Sequence, residues 1–326
     1  MFRRLSLIFH ALLLFALSLP AVAASNRLAS RPPAEAPARH PQFQALPLER
    51  SRQNHLLVRA FINGKPALLG VDTGAPVSAI ALNRVEHFGL TELSANSQLP
   101  RRLRINGSFN RVAVAKNMQL GALVLVDEPM VAIDLGGSYR AAKLMKEQAI
   151  DGIIGADILF PTEAVLDCRA QILTLKIDPS VRGPAPGTNY RGFTKVPMSL
   201  SAGYNLYVDS RLNGQRTKLL VDSGAFSTLL NQRFVRRMKL PLRKTAFTSA
   251  GVNLKGRGVQ IATINQFAIG SLEMNKKEVG VIDLEDLIRD GLLDATPPVA
   301  GLLGSDILRR HSAIIDFRTK TLYLKR

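Results

Sequence analysis

Two short segments of this chain are near copies of each other: VDTGAPVSAI, Val71 to Ile80, and VDSGAFSTLL, Val221 to Leu230. In each, an apolar run closing on Val71 or Val221 ends in Asp, a hydroxyl residue, Gly and Ala. The pattern reads as a buried strand that delivers one carboxylate into a tight turn. Gly74 and Gly224 permit a close backbone approach there, and the Thr73 and Ser223 hydroxyls can brace the turn by hydrogen bonding. A lone Asp-Thr-Gly also occurs at ordinary strand-to-turn junctions, but two copies 150 positions apart constrain the fold far more.

The similarity extends well beyond these turns. FINGKPALLG (Phe61 to Gly70) aligns with RLNGQRTKLL (Arg211 to Leu220), each reading as a strand, an Asn-Gly hairpin turn and the strand that leads to the Asp. After one residue of slippage, Asn106-Gly107 aligns with Lys255-Gly256, Gly121 with Gly270, and Ile133-Asp134-Leu135 with Ile282-Asp283-Leu284. DGIIGADILF (Asp151 to Phe160) then matches AGLLGSDILR (Ala300 to Arg309), and LDCRAQILTL (Leu166 to Leu175) matches IDFRTKTLYL (Ile315 to Leu324). Self-similarity at a fixed offset marks a duplicated unit. Alternating or short apolar runs dominate inside each unit, and helical patterns are confined to Leu82 to Phe88 with its partner Gln232 to Met238, Tyr139 to Gln148, and Leu284 to Leu293. The expected fold is all-β: two tandem lobes with one or two short helices each, related by a pseudo-twofold of the kind an ancestral dimer would have had.

Taken in order, residues 1–24 read as a signal peptide: Arg3 and Arg4, an apolar run from Leu5 to Leu19, and a small-x-small ending at Ala21-Val22-Ala23. The run is shorter than the roughly 20 residues of a membrane-spanning helix. Residues 25–54, rich in Pro, Ala and Arg, read as a disordered leader. Lobe 1 is expected over 55–178, a Gly- and Pro-punctuated linker over 179–194, and lobe 2 over 195–326.

Lys and Arg number 43 against 25 Asp and Glu, a formal charge of +18. Such a field attracts polyanions, yet the cations are scattered, aromatics are not interleaved with them and Trp is absent, so nucleic acid is not the expected partner. An anionic envelope surface or acidic substrate segments suit the field better. Cys168 is the only cysteine and, in an apolar strand matching that of Phe317, reads as core filler. No Cys and His cluster has ligand spacing, so no metal is expected, and no Gly-rich segment has the ending of a phosphate loop, so neither is a nucleotide cofactor.

If the lobes pack about a pseudo-twofold, Asp72 and Asp222 face each other on the axis. Two carboxylates that close cannot both ionise cheaply, so they share a proton and titrate as a pair. The charged member can take a proton from water while the neutral one hydrogen-bonds a carbonyl, which suits direct amide hydrolysis with a bell-shaped, acidic-to-near-neutral pH profile.

The turns Asp72-Thr73-Gly74-Ala75 and Asp222-Ser223-Gly224-Ala225, each followed by an apolar-apolar-Gly element ending in Gly155 or Gly304, resemble the retroviral-type (retropepsin-like) aspartic proteases. In that family one such unit supplies one catalytic Asp and a second unit completes the site. Having both halves in one chain is similar to the pepsin-like arrangement, while the short, near-symmetric lobes are closer to the retroviral type and its bacterial relatives. The resemblance implies that Asp72 and Asp222 are catalytic, that Thr73 and Ser223 brace the paired loops, and that Gly155 and Gly304 pack beneath them. It also implies a hairpin flap in each lobe, for which Asn106, Gly107 and Ser108, and Lys255, Gly256 and Arg257, lie in the expected place. The implied protein is an aspartic endopeptidase acting on extended peptides without a cofactor, exported to a bacterial periplasm or envelope. It would be a monomer with its lobes paired within the chain rather than a homodimer. Two alternatives stay open: a non-catalytic peptide-binding or scaffold protein with the same bilobal fold, and lobes that splay apart to pair between chains.

Overall fold

The computed structural model describes residues 8–9, 42–93, 104–105, 108–109, 111–187, 190–249, 257–294 and 299–326. Each lobe starts from a hairpin whose pairing the sequence anticipates. Strands Leu56–Ile62 and Lys65–Val71 pair from Leu57 opposite Gly70 to Ile62 opposite Lys65, and Leu206–Leu212 and Gln215–Val221 repeat this from Tyr207 opposite Leu220 to Leu212 opposite Gln215. The turns Asn63-Gly64 and Asn213-Gly214 have positive φ at both residues (48° and 78°; 47° and 82°), as a two-residue type I′ turn requires. In both lobes the first strand shows the same burial alternation, so one face enters the core.

A second, longer hairpin follows in each lobe, Arg111–Leu120 with Leu123–Ile133 and Arg257–Ile269 with Leu272–Ile282. The strand carrying the apolar-apolar-Gly element then closes the structure. Gly152–Ile154 runs parallel to Leu69–Val71 and antiparallel to Ala79–Ile80, and Val299–Leu303 repeats this against Gln215–Val221 and Leu229–Leu230. The chain after each Asp turn is thereby trapped between two strands. Gly155 and Gly304 sit where it passes: a Cβ on Gly155 would be 2.6 Å from the Val77 carbonyl carbon, and one on Gly304 would collide with the Ser227 backbone. Helices are short: a 3-10 turn at Leu82–Arg84 and α-helices at Gly136–Met145, Ala156–Leu159, Gln232–Arg237, Glu285–Arg289 and Ser305–Arg310.

The lobes join through a shared sheet. Val165–Asp167 pairs antiparallel with Ile314–Asp316, Leu166 directly opposite Ile315. Flanking bonds are reciprocal: Cys168 N–H donates to the Ala313 carbonyl and Phe317 N–H to the Ala164 carbonyl, both at 2.9 Å. Outside this pair lie Ile172–Lys176 and Phe43–Pro47 on one side, Thr321–Leu324 and Thr194–Leu200 on the other. One apolar core runs through both lobes and includes Leu166, Ile315, Cys168 and Phe317. The Cys168 thiol, fully buried, is pushed up to about 12 mainly by burial, which keeps it protonated and inert.

Two expectations change. Residues 25–54 were expected to be a disordered leader, yet Phe43–Pro47 and Glu49–Arg50 are strands, the former being the lobe 1 counterpart of Thr194–Leu200. Its partner strand is distant in sequence, so backbone pairing overrides a composition that reads as a spacer. In the stretch expected to be a signal peptide, Ile8–Phe9 pairs in parallel with Thr248–Ser249.

Candidate active site

Asp72 and Asp222 terminate equivalent strands and are held at equivalent points. The Asp72 N–H donates to the Ile154 carbonyl and the Asp222 N–H to the Leu303 carbonyl, each at 3.0 Å. Both carboxyls are buried. The Gly74 N–H donates to Asp72 Oδ1 at 2.8 Å, and the Ala225 N–H donates to Asp222 Oδ1 at the same distance.

The hydroxyls after each Asp reach into the opposite lobe. Thr73 Oγ1 donates to the Val221 carbonyl at 2.8 Å and accepts the Ser223 N–H at 3.0 Å. Ser223 Oγ donates to the Val71 carbonyl at 2.8 Å and accepts the Thr73 N–H at 3.0 Å. Four buried backbone groups are satisfied by two side chains, and every bond crosses between lobes. This reciprocal brace fixes the separation of the two turns.

Glycine is required next in the sequence because the opposite carboxyl occupies the space a side chain would need. A Cβ on Gly74 would lie 2.6 Å from Asp222 Cγ, and one on Gly224 would collide with the Asp72 carboxyl. Each carboxyl is thereby packed against the glycine of the opposite turn. Among the described residues no hydrogen-bond partner reaches the buried Asp72 Oδ2. Two buried carboxyls placed this close ionise one at a time. Burial is the largest influence on both groups: it raises Asp72 to about 6, against the opposing pull of the Gly74 N–H, and raises Asp222 well above the usual range, reinforced by the charge of Asp72.

A further layer holds the turns from beneath. Ala156 N–H donates to the Ala75 carbonyl and Ser305 N–H to the Ala225 carbonyl, at 2.8 and 2.7 Å. Asp157 accepts both the N–H and the hydroxyl of Ser78 at 2.7 Å, and Asp306 accepts both from Thr228 at 2.7 and 2.8 Å. Neither aspartate stands out in the sequence as a site residue. Their recurrence two residues after Gly155 and Gly304 was the available signal, but their partners are nearly 80 positions away. Ser305 has no lobe 1 equivalent, because Ala156 stands in its place. Its hydroxyl donates to the Ser223 carbonyl at 2.9 Å.

An apolar cleft opens onto the carboxyls, lined by Val77, Ile133 and Ile153 from lobe 1 and by Leu220, Leu292 and Leu302 from lobe 2. Of the flap candidates, Asn106, Gly107, Lys255 and Gly256 lie outside the described residues. Ser108 opens the strand Ser108–Phe109, which pairs with Arg104–Ile105. Arg257 is ion-paired with Asp283 and Asp286 and does not line the cleft.

Comparison with known proteins gives one matching family, described as aspartyl protease, over residues 58–158 and again over 208–307. Among curated proteins, the chain is similar to Protein DDI1 homolog 1 of Homo sapiens (31% identical over 136 residues, 40% of this chain) and of Bos taurus (32% over 131 residues, 40% of this chain). It is also similar to Protein DDI1 homolog 2 of Mus musculus (29% over 133 residues, 40% of this chain). The chain spans about 30% of the length of each of these relatives. They are mammalian, which overturns the expected bacterial member. The secreted, periplasmic or envelope-facing placement, the signal peptide on which it rested and the anionic envelope partner are corrected with it. An apolar run after two arginines has the chemistry of an export signal but does not identify the cell that holds it.

Proposed function

The chain belongs to the aspartyl protease family, present as two tandem retropepsin-like lobes paired within one polypeptide, and on that premise we propose that it is an aspartic endopeptidase. The observation that carries this reading is the packing of the Asp72 carboxyl against Gly224 and of the Asp222 carboxyl against Gly74 at the end of a cleft, each turn braced by the other lobe's hydroxyl.

In the proposed reaction an extended peptide lies along the cleft with its scissile carbonyl above the pair. The ionised carboxylate takes one proton from a water molecule as the water oxygen bonds to the carbonyl carbon, while the protonated carboxyl gives its proton to the carbonyl oxygen. The resulting gem-diol collapses as the C–N bond breaks, one hydroxyl returning its proton to the pair and the amine nitrogen taking a proton from it. Atoms and charge balance, and the pair ends with the one proton it began with. Thr73, Gly74, Ala75 and their counterparts Ser223, Gly224 and Ala225 hold the carboxyls in place and supply the backbone donors that keep one of them ionised.

The test is digestion of a peptide library across a pH series by the full chain and by Asp72→Asn and Asp222→Asn. Cleavage lost in both variants, and not restored by mixing them, supports an intramolecular pair. Cleavage that survives either substitution sinks the reading. Peptide binding without turnover in the unsubstituted chain identifies the scaffold alternative instead.

A further inference from the structure

On lobe 2, the hairpin of Leu206–Leu212 and Gln215–Val221 places Arg211 directly opposite Arg216. Cross-strand partners share a sheet face, and both residues are exposed. Like charges in this position repel, and among the described residues neither guanidinium has an ion-pair partner. The counterpart pair in lobe 1, at the same hairpin register, is Phe61 opposite Pro66. The repulsion is therefore a property of this lobe and not of the duplicated scaffold.

The pair lines a groove of about 720 Å³ that shares no residue with the cleft. Lys218 and Arg237 line it too, where lobe 1 has Leu68 and His87. Lys218 lies 3.6 Å from Asp209 and donates to Ser199 Oγ at 2.8 Å, and Arg237 rests over the Phe234 ring at 5.6 Å, which leaves Arg211 and Arg216 as the cations of the groove with no such contact among the described residues. The other acid of the groove is Glu273, in the same cross-strand row as Arg211 but with Ala268 between them. Four cations thus face two acids. Lobe 1 has its own cations nearby, but they are engaged: Arg59 pairs with Glu49 at 2.6 Å and Lys65 donates to the His87 carbonyl at 2.5 Å.

We propose that this groove binds an acidic peptide segment, whose Asp or Glu carboxylates bridge Arg211 and Arg216. A carboxylate matches the planar fork of a guanidinium, and an anion between two like charges removes their repulsion. Peptide is favoured over a polyphosphate because Asp209 and Glu273 oppose the dense charge of a polyphosphate more than they oppose singly charged carboxylates spaced along a backbone. Binding at this groove is independent of any cleavage at the aspartates.

The experiment measures fluorescence anisotropy of a fluorescein-labelled octaglutamate peptide with the full chain at low salt. Binding is expected, with the Arg211→Glu/Arg216→Glu variant weaker by roughly tenfold or more. The same change of net charge at exposed Arg318→Glu/Lys320→Glu is expected to weaken it by about twofold at most. If the glutamate variant does not fold, judged by its thermal transition, Arg211→Gln/Arg216→Gln takes its place with the same expectation. No binding by the unsubstituted chain, or equal losses from both pairs of substitutions, overturns the proposal. So does binding of tripolyphosphate that depends on Arg211 and Arg216 while octaglutamate does not bind.

Discussion

Leu166 lies directly opposite Ile315, the residue that holds its own place in the other lobe. Val165 pairs with Asp316 and Asp167 with Ile314, each facing the counterpart of the other, so the pseudo-twofold axis passes between Leu166 and Ile315. The exchanged bonds of Thr73 and Ser223 lie about the same relation, and neither turn is complete without the other lobe.

Thr73→Val should therefore destabilise the whole chain. It keeps the volume of the side chain but leaves the Ser223 N–H and the Val221 carbonyl buried without their partner, at about 1 to 3 kcal/mol for each unsatisfied group. Thr73→Ser should cost far less, since lobe 2 makes the same bonds with Ser223. Urea denaturation of the two variants checks this; equal midpoints would show that the brace is not a stabilising element.

The carboxyl pair should cost stability at neutral pH. Both folded values lie above the unfolded ones, so the folded state binds more protons and stability falls as pH rises from the unfolded pKa, about 3.9, through the folded values. Asp72→Asn or Asp222→Asn should add on the order of 1 to 3 kcal/mol of stability at pH 7, seen as a higher melting temperature, and change it little at pH 4. Activity in the unsubstituted chain should rise with pH as the first proton of the pair leaves near 6 and fall when the second is lost at higher pH. Calorimetry and a pH–rate profile give the two readings separately.

Lobe asymmetry beneath the turns leads to a third expectation. At the place where Lys277 pairs with Asp306 at 2.5 Å, lobe 1 has Glu128, an acid that faces the acid Asp157. Burial, followed by the charge of Asp157, raises Glu128 to about 7. Its folded value exceeds the unfolded one of about 4.3, so its contribution is full below that value and lost as pH rises through 7. Glu128→Gln should raise the melting temperature at pH 8 by roughly 1 to 3 °C, a small effect because the side chain is only half-buried, and leave it unchanged at pH 5. A uniform shift at both pH values would contradict the electrostatic origin.

Ser305→Ala makes lobe 2 like lobe 1. Loss of the bond to the Ser223 carbonyl should cost about 1 kcal/mol. The same peptide unit presents the Gly224 N–H to the carboxyl pair, so its polarisation should weaken and the ascending limb of the pH–rate profile should move up. Ser305→Thr should restore the limb. An unmoved limb with lower stability would leave Ser305 a purely structural brace.

Much of this was legible because it repeats. Asp72 and Asp222, their glycines and the two Asn-Gly turns stand at a fixed offset, and the physics of a turn acts over a few neighbouring residues that a sequence displays together. Phe43–Pro47 escaped because its strand character comes from a partner at Ile172–Lys176, not from alternation of its own. Leu46-Pro47-Leu48 does mirror Val196-Pro197-Met198, a repeat too short to stand out in Pro-rich surroundings. Ser78 with Asp157 and Thr228 with Asp306 escaped for a related reason: each hydrogen bond joins residues that only the folded chain brings together.

The contact of Leu166 with Ile315 has the geometry of a symmetric dimer inside a single polypeptide. In a dimer of identical chains every substitution is made twice, so a change that helps one half and harms the other cannot be kept. Here each half is written separately. Ser305 exists without a second serine at Ala156, Lys277 neutralises one half-buried acid while Glu128 confronts the other, and Arg211 with Arg216 stands where the other half keeps Phe61 with Pro66. The covalent joining of the lobes thus turns one symmetric frame into a left and a right side, on which unlike segments of a single bound peptide can be met by unlike surfaces.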